Sequence, residues 1–412
     1  MFRGRKIRLL PTKEQELLFW KSAGTARWAY NYFLAENEAA YRAYLKRGKT
    51  GPRRISADDV RKHINNNLKK TTHQWLKEVS NNVMKMAVKK ADYAVKKFLK
   101  GLAGKPKFKT KHRTKPSFYV NYASLARKNG GFHGERLGFI RTAEPLPRLP
   151  KGKRYSDPWI SFDGKYWYLG LSYEVPTSEA EELSGDTIGI DLGIKTLATC
   201  YVSGTKKKMT FQNINRTKKV RRLEKKLRRE QRKQSRKLVA NTARHKLIQR
   251  EGKKIGRKPI WKRPLHECRN LKKQRRKIAL IHRCLANIRQ NHVHQTTATI
   301  VKTKPSRVVL ENLNVKGLMK NKHLAKAISG AKFYEFRRQM IYKCEEHGIQ
   351  VIIADRFYPS SKTCSYCGYL KKDLRLNDRV YVCPACGKSI DRDLNAAINL
   401  ANYFQSDTAC TA

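Results

Sequence analysis

The chain has 412 residues, 40% of them hydrophobic, which is enough for two or three domains with ordinary cores. Its 92 lysines and arginines against 32 acidic residues leave a net charge of +60, and a compact body with that charge repels itself unless a polyanion, most simply nucleic acid, neutralises it. No apolar run approaches the roughly 18–20 residues of a membrane span, and MFRGRKIRLL shows no signal-peptide pattern, so the sequence excludes a membrane protein and predicts a cytoplasmic one.

The first predicted elements are a short strand, KIRLLP, and a helix. Thr12 and Gln15 have the spacing of a capping box ahead of an apolar run. Helical spacing continues to about residue 100, interrupted by the loop KRGKTGPRR. An aromatic seam runs through these helices (Trp28, Tyr30, Tyr32, Phe33 and Tyr41). We interpret the seam as core packing, with base stacking as the alternative.

Residues 101–177 are predicted to be β structure, because Gly and Pro become frequent and Asp163-Gly164 is typical of a tight hairpin turn. The first strand, Phe2–Leu10, has no neighbouring strand in sequence. We therefore expect it to join these later strands in one small β-barrel, with the helices inserted between. The acidic segment PTSEAEELSGD, residues 176–186, is predicted to be a linker before a new domain.

Residues 216–283 form a cationic insertion, with 29 basic and 4 acidic residues in 68 positions. Apolar residues recur in it at helical spacing, so two long helices can pair along a thin apolar stripe and expose charge elsewhere. The stripe consists of Val220, Leu223, Leu227, Ile278, Ile281, Leu285 and Ile288. A merely solvated helix face would mix both signs of charge, which this segment hardly does, so we predict contact with phosphates.

The stretch DTIGIDLGIKTLATCYV is predicted to be a strand that presents one carboxylate, Asp191, between Gly189 and Gly193. A lone Asp in a strand is often only an edge charge. However, neighbours without side chains would let a bulky phosphodiester approach a metal held by this Asp.

Two further acids are candidate metal ligands. Glu311 closes the apolar strand of SRVVLENLNVKGL, where a buried carboxylate needs a cation or an Arg partner. Asp393 lies at the start of the helix in DRDLNAAINLANYF, where it could also be a simple cap, and Asp391 competes for either role. Acids on a first strand, a later strand and a C-terminal helix are what two Mg²⁺ ions require for hydrolysis of a nucleic-acid backbone.

A separate metal site is predicted by Cys364-x2-Cys367 and Cys383-x2-Cys386, which have the spacing of a four-cysteine zinc ribbon; disulfides are the alternative. A closed shell of four thiolates indicates structural Zn²⁺, and the ribbon would deliver Asp393 and its helix to the carboxylate site. It could also contact substrate through Lys371, Lys372 and Arg379. The other five cysteines lack pairing logic, as in a reducing compartment, and are interpreted as buried fillers (Cys200, Cys268, Cys284, Cys344 and Cys410).

Five stretches resemble the three RuvC-like motifs and the inserted zinc ribbon of the TnpB proteins, the OrfB-type accessory transposases of bacterial and archaeal insertion sequences. They are IGIDLGIKTLAT, VVLENLNVKGL, ADRFYPSSKTCSYCG, VCPACG and DRDLNAAINLA. KIRLLPTKEQELLFWKSAGTARWAYNYFL and GKPKFKTK are also similar to this family, so the resemblance covers nearly the whole chain.

The resemblance implies a multidomain protein of α/β and α+β class, related to the compact type V CRISPR effectors and, within the cytoplasm, associated with the nucleoid. An RNase H-like (RuvC) nuclease domain with an inserted four-cysteine zinc ribbon accompanies a β-barrel wedge domain that is interrupted by a helical recognition domain. The implied bounds are 1–10 and 101–178 for the wedge domain, 11–100 for the recognition domain, 186–362 and 388–405 for the nuclease domain with its basic helical insertion 216–290, 363–387 for the ribbon, and 406–412 for a disordered tail.

By motif matching, Asp191 takes the first catalytic position and Glu311 the second. Asp393 rather than Asp391 takes the third, because the acid of the family stands two residues before the Asn of D-x-N-A. The resemblance also implies a guide RNA from the transposon end, a double-stranded DNA target, and a short motif beside the target that the protein reads. Protein partners, and the number of protein copies on each RNA, stay open.

The predicted function is an RNA-guided, Mg²⁺-dependent DNA endonuclease encoded by a transposon. Two alternatives remain: a noncatalytic nucleic-acid-binding regulator, and a transposase that performs DNA strand transfer.

Overall fold

A computed structural model describes residues 2–111, 114–123, 125–175, 182–250, 253–265, 267–375 and 378–403, with only the backbone described for 246–250 and 253–258. The chain divides into two units, Met1–Pro176 and Thr177–Ala412. The predicted tail, 406–412, lies outside the described residues.

The first unit opens with strand β1 (Phe2–Leu10) and three helices, α1 (Lys13–Lys46), α2 (Ala57–His63) and α3 (Asn81–Leu99). The predicted capping box starts α1: the Thr12 hydroxyl accepts from the amide of Gln15, and the Gln15 side chain accepts from the amide of Thr12. Short π-helical and 3-10 segments, Ile64–Leu68 and Gln74–Glu78, connect α2 to α3.

Six further strands join β1 in a sheet of order β2-β6-β7-β1-β5-β4-β3. They are β2 (Ser117–Tyr119), β3 (Ala126–Lys128), β4 (Gly131–Gly134), β5 (Gly138–Thr142), β6 (Ser156–Phe162) and β7 (Trp167–Glu174). β1 runs antiparallel to β7, with Phe2 opposite Glu174, and its end pairs with β5. The prediction that the first strand joins strands beyond the helices is therefore confirmed.

The core of the first unit combines this sheet with the helices. Tyr30 and Phe33 of the aromatic seam are buried in it, as expected of core residues. Trp28 and Tyr32 are half-buried against the same core. Tyr41 is exposed, so the core interpretation is wrong for the last member of the seam.

The second unit contains a five-stranded sheet of order β10-β9-β8-β13-β14. In chain order the elements are β8 (Ser184–Leu192), β9 (Thr196–Val202), β10 (Lys207–Gln212), α4 (Lys218–Ala240), β11 (Thr242–Arg250), β12 (Lys253–Trp261), α5 (Arg269–Val301), β13 (Pro305–Leu310), α6 (Val315–Leu318), α7 (Ala325–Ala331), α8 (Phe333–Glu346), β14 (Gln350–Ile353), β15 (Val380–Val382), β16 (Ser389–Asp391) and α9 (Arg392–Ala401). β8, β13 and β14 are parallel neighbours, while β9 and β10 are antiparallel.

Alternate residues of β8 and β13 face opposite sides of this sheet, as the pleat requires. Ile188 and Ile190 lie in a core with residues of α5 and α8, such as Ile300 and Phe336. On the other side, Val309 packs with residues of α9 and the segment that follows it. The sheet is thus covered on both faces, and helix α9 is the cover on the side of Asp191.

Two predictions about segments need correction. Ser184–Asp186 belong to β8 and not to a linker, while residues 176–181 lie outside the described part of the chain. Within the basic insertion, α4 and α5 pair along the predicted stripe, but β11 and β12 form a hairpin between them. Gly256 and Pro259 explain why no continuous helix runs through this segment, since both disfavour helix.

Of the scattered cysteines, Cys200 and Cys344 are buried, but Cys268 and Cys284 are only half-buried, so the filler interpretation holds for two of the four described. Cys410 lies outside the described residues. Among the helices in the described part of the chain, none combines the length and the apolar composition needed to cross a bilayer.

Candidate active site

Asp191 and Glu311 lie at the carboxyl ends of two neighbouring strands in the five-stranded sheet. β8 and β13 run parallel with Ile190 opposite Leu310, and each acid follows one of these paired residues. Asp191 is the last residue but one of β8, and Glu311 comes directly after β13. Parallel strands therefore bring together two carboxylates that are far apart in sequence.

The third acid comes from helix α9, which packs against β8. Asp391 is the N-cap of this helix: its Oδ1 accepts from the amide of Leu394 at 2.9 Å, and its side chain is 51% exposed. Asp393 lies in the first turn, with Arg392 Nη2 3.6 Å from its Oδ1. Asp391 is therefore the residue that caps the helix, and Asp393 does not have this role.

Acidic side chains are concentrated where β8, β13 and α9 meet. The pKa of Asp191 is raised to about 8 by burial and then by the nearby carboxylates of Glu311 and Asp393, while Arg392 opposes the rise. Burial also raises the pKa of Glu311. A cluster of acids with raised pKa values favours binding of a cation, which would let all of them ionise.

The three carboxylates differ from the four cysteines in their spacing. Among the described residues, only the four cysteines 364, 367, 383 and 386 form a group of three or more potential ligands whose atoms all lie within 4.8 Å of one another. Asp191, Glu311 and Asp393 form no such compact group, although Glu311 and Asp393 are both near enough to raise the pKa of Asp191.

Gly189 explains how α9 comes so close to β8. A Cβ at this position would overlap the carbonyl oxygen of Ala397 and the amide nitrogen of Ala401. At Gly193 a Cβ would lie 2.9 Å from the carbonyl oxygen of Thr196, in the turn between β8 and β9. The interpretation of both glycines as room for a phosphodiester is therefore wrong, because helix and turn backbone occupy that space.

Two buried asparagines on α9 are functional candidates that the sequence reasoning missed. Asn395 Nδ2 donates to the carbonyl of Thr363 at 2.7 Å, and its Oδ1 accepts from the amide of Ser365 at 2.9 Å. Asn399 Nδ2 donates to the carbonyls of Ser360 and Thr363 at 2.7 and 2.6 Å. They fix the start of the cysteine-containing segment to the helix that carries Asp393. Their spacing of four on an otherwise apolar helix face was the available signal.

The four predicted cysteines do come together. Sγ–Sγ distances are 3.7 Å for Cys364–Cys386 and 3.5 Å for Cys367–Cys383. Each C-x2-C motif closes a turn that ends in a glycine with a positive φ. The amide of Gly368 donates to the carbonyl of Cys364, and the amide of Gly387 donates to the carbonyl of Cys383. The cluster can hold a metal such as zinc.

The free thiols cannot all ionise at this separation. The pKa of Cys383 is lowered to about 6 although burial opposes the change, because amides of Cys386 and Ala385 and neighbouring thiols donate to it. The pKa of Cys367 is raised to about 12: the amide of Tyr369 opposes this rise, while burial and the other thiols cause it. A divalent cation would relieve the conflict by binding thiolates.

The hairpin of β15 and β16 leads directly into α9, since β16 ends at Asp391 and α9 begins at Arg392. Tyr381 in this hairpin is fully buried, and its hydroxyl donates to the carbonyls of Lys362 and Tyr369. Of the predicted substrate contacts, Lys371 donates to Val382 within the hairpin, whereas Lys372 and Arg379 are exposed.

An open cleft of about 690 Å³ begins next to Glu311. Its lining residues are Asn312, Asp355, Arg356, Phe357 and Tyr358. Phe357 is 90% exposed. Asn312, the residue that follows Glu311, thus lies in a groove whose lining includes an aromatic and a cationic side chain.

The basic insertion presents the surface that its composition predicts. Every lysine and arginine of α4 is exposed, while Val220 is buried against Ile281 and Leu285 of α5. Glu224 is one of its few acids and is paired with Arg289 at 2.7 Å and Lys326 at 2.9 Å. Cationic charge on α4 is therefore largely without acidic partners of its own.

Three family models match the chain. A "Helix-turn-helix domain" of the OrfB type matches residues 1–46, a "Probable transposase" model of the same type matches 170–322, and a "Cas12f1-like, TNB domain" model matches 333–400. The resemblance of the chain to the TnpB/OrfB family is thereby confirmed. Within the first matched range, residues 2–46 contain β1 and the single long helix α1, not two helices joined by a turn.

Two curated relatives align with almost the whole length of this chain, and a third aligns with a short part of it. A protein of Streptomyces pristinaespiralis named "Putative RNA-guided DNA endonuclease" is 29% identical over 99% of this chain and 90% of its own length. A protein of Escherichia coli K12 with the same description, InsQ, is 27% identical over 98% and 93%. "CRISPR-associated endodeoxyribonuclease Cas12f1" of Sulfoacidibacillus thermotolerans is 41% identical, but over 17% of this chain and 16% of its own.

The fold also has a solved counterpart. The protein chain in "Cryo-EM structure of the Cas12f1-sgRNA-target DNA complex" aligns with a TM-score of 0.54 and 14% identity over 98% of this chain and 99% of that chain. The predicted mixed α/β fold, with a cysteine cluster, is therefore confirmed at the level of overall architecture.

Proposed function

We propose that this TnpB/OrfB protein is an RNA-guided DNA endonuclease whose second unit is an RNase H-like (RuvC) nuclease. The observation that carries the proposal is the concentration of Asp191, Glu311 and Asp393 where two parallel strands and helix α9 meet, next to an open cleft. The names of two relatives that align along almost the whole chain support the same activity.

The three carboxylates would hold Mg²⁺, and the raised pKa values of Asp191 and Glu311 support this role, because a bound cation would let both of these acids ionise. Two such ions, about 3.5–4 Å apart, would supply activation of a water and stabilisation of the leaving oxygen of a phosphodiester. The chain itself positions the ligands: β8 and β13 fix Asp191 and Glu311, and Asn395 and Asn399 fix the helix of Asp393.

The four-cysteine cluster would hold a structural Zn²⁺, because four protein thiols leave no coordination position for substrate. Its ribbon, residues 363–387, would lock the start of α9. The exposed cations of α4 would hold nucleic-acid backbones.

The remaining domain assignments are part of the same proposal. Residues 1–10 and 101–178 would form a wedge barrel and 11–100 a recognition domain, which agrees with helices inserted between β1 and β2 in one sheet. Residues 186–362 and 388–405 would form the nuclease domain. A guide RNA from the transposon end would choose the double-stranded target by base pairing.

The test is cleavage of plasmid DNA by protein purified with its native RNA in Mg²⁺. Asp191→Ala should lower the cleavage rate at least about 1,000-fold, since a metal ligand stabilises the transition state by several kcal/mol. Target binding should be retained. Glu345→Ala, at an exposed acid on α8, is the matched control and should cut normally.

Equal cutting by Asp191→Ala would refute the nuclease assignment. Binding without metal-dependent cutting by the wild type would favour the noncatalytic regulator, and joined DNA products would favour strand transfer.

A further inference from the structure

The first unit contains a second cleft, of about 590 Å³, formed by α1, α3 and the segments 53–54 and 105–108. Buried Leu34 and Val95 form its apolar floor. Aromatic rings form its walls: Tyr41 and Phe98 are each 39% exposed, and Phe108 is 51% exposed. The volume and lining match a site for a flat, largely apolar group of small-ligand size.

The cleft also contains an unsatisfied polar group. Oδ1 of Asn37 is buried and has no hydrogen-bond partner among the described residues, and Asn37 lines the cleft. A buried acceptor left without a donor is unfavourable, because it has lost its hydrogen bonds to water. A bound group that donates a hydrogen bond at this point would recover that cost.

Cations surround the opening. Arg53, Lys105 and Lys107 are exposed lining residues, and the Arg53 guanidinium lies 5.5 Å from the centre of the Tyr41 ring. The single acid of the lining, Glu38, is already near two cations, Arg42 at 3.4 Å and Lys105 at 3.8 Å. Arg54 is paired with Asp92 at 3.0 Å, so it fixes α3 and is not available to a ligand.

We propose that this cleft binds one unpaired nucleotide of a bound nucleic acid. The base stacks between Tyr41 and Phe108, its exocyclic amine or ring N–H donates to Asn37, and Arg53 and Lys107 contact the flanking phosphates. Stacking on aromatic rings and hydrogen bonds to an exposed base edge are how proteins recognise unpaired bases. The inference rests on the nucleic-acid binding of the proposed function, but not on its nuclease chemistry.

The first experiment is photocrosslinking of the full-length Asp191→Ala protein, which separates binding from cutting. One arm uses its copurified RNA prepared with 4-thiouridine, and the other uses target DNA carrying 4-thiothymidine. Crosslinked peptides containing Tyr41 or Phe108 support the site, and the arm that gives them identifies the nucleotide as guide RNA or target DNA. Crosslinks confined to other parts of the protein in both arms would overturn it.

The second experiment is fluorescence anisotropy with 12-nucleotide RNA and DNA homopolymers of each base, at high salt so that phosphate contacts weaken. Phe108→Ala and Tyr41→Ala should reduce affinity for at least one probe about 5- to 100-fold, the loss of about 1–3 kcal/mol expected for one stacked base. The slope of affinity against salt should not change. Phe108→Trp should bind like the parent.

Tyr93→Ala is the matched control, because Tyr93 is a 59% exposed aromatic on α3 outside the cleft lining. It should bind every probe within about twofold of the parent. Asn37→Leu should change the order of preference among the four bases. If both alanine variants, checked for an unchanged melting temperature, bind all probes as tightly as the parent, the cleft is not a nucleotide site.

Discussion

At the scale of single residues, Asp191 shows why a metal site destabilises the protein that carries it. Its pKa is raised to about 8, above the usual value near 3.9, because burial and two neighbouring carboxylates disfavour the ionised form. The folded state without metal therefore carries a penalty that is absent below about pH 4 and grows as the pH rises towards 8.

Asp191→Asn should consequently stabilise the second unit in chelator at pH 7 by about 1–3 kcal/mol, while abolishing cleavage. The gain should disappear below about pH 4, where wild-type Asp191 is largely protonated in both folded and unfolded states. Thermal melting in EDTA on either side of this range measures it. Glu345→Gln, at an exposed acid, should leave the melting temperature unchanged at both pH values.

Asn395 shows a residue that acts on the site through another element. Asn395→Ala removes its hydrogen bonds to Thr363 and Ser365 and leaves buried backbone groups unpaired, a cost of about 1–3 kcal/mol. We expect slower cleavage with metal content retained, because α9 loses its fixed position. Asn402→Ala, at the exposed end of the same helix, is the control. Normal cleavage by Asn395→Ala would show that the helix is held without it.

At the scale of elements, the β15–β16 hairpin, which carries Cys383 and Cys386, continues directly into α9, so that residues 380–401 form one continuous structure. Metal binding to the four cysteines would contribute directly to folding of this segment. Cys383→Ser should therefore lose bound zinc and become sensitive to proteolysis between residues 363 and 387. Elemental analysis and limited digestion measure both. Cys284→Ser, at a half-buried cysteine outside the cluster, should keep zinc and resist digestion, and equal resistance of Cys383→Ser would contradict a structural metal.

Sequence reasoning predicted the two strands because alternating apolar residues around Asp191 and a continuous apolar run before Glu311 both indicate buried strands. It could not assign Gly189, since the reason for that glycine is the backbone of a helix some 200 residues away. Asn395 and Asn399 were missed for a similar cause: a polar residue on a helix face does not reveal which buried carbonyls it meets. The β11–β12 hairpin was missed because strong basic composition masks the strand signal.

At the scale of the whole molecule, the net charge of +60 predicts affinity that falls steeply with salt, as bound cations are released from phosphates. Arg228→Gln combined with Arg232→Gln on the exposed face of α4 should lower the slope of log affinity against log salt by about 2, one for each phosphate that is no longer neutralised. Titration of nucleic-acid binding across a salt series measures the slope. Lys302→Gln, exposed after α5, is the matched control, and an unchanged slope in the double variant would place the phosphates elsewhere.

The packing of α9 against Gly189 has a consequence for truncation of the protein. Removal of the chain from residue 392 onward would take away Asp393 and uncover the backbone of β8 at Gly189, where Ala397 and Ala401 now lie. A protein shortened in this way would keep two of the three acids and lack the proposed metal centre.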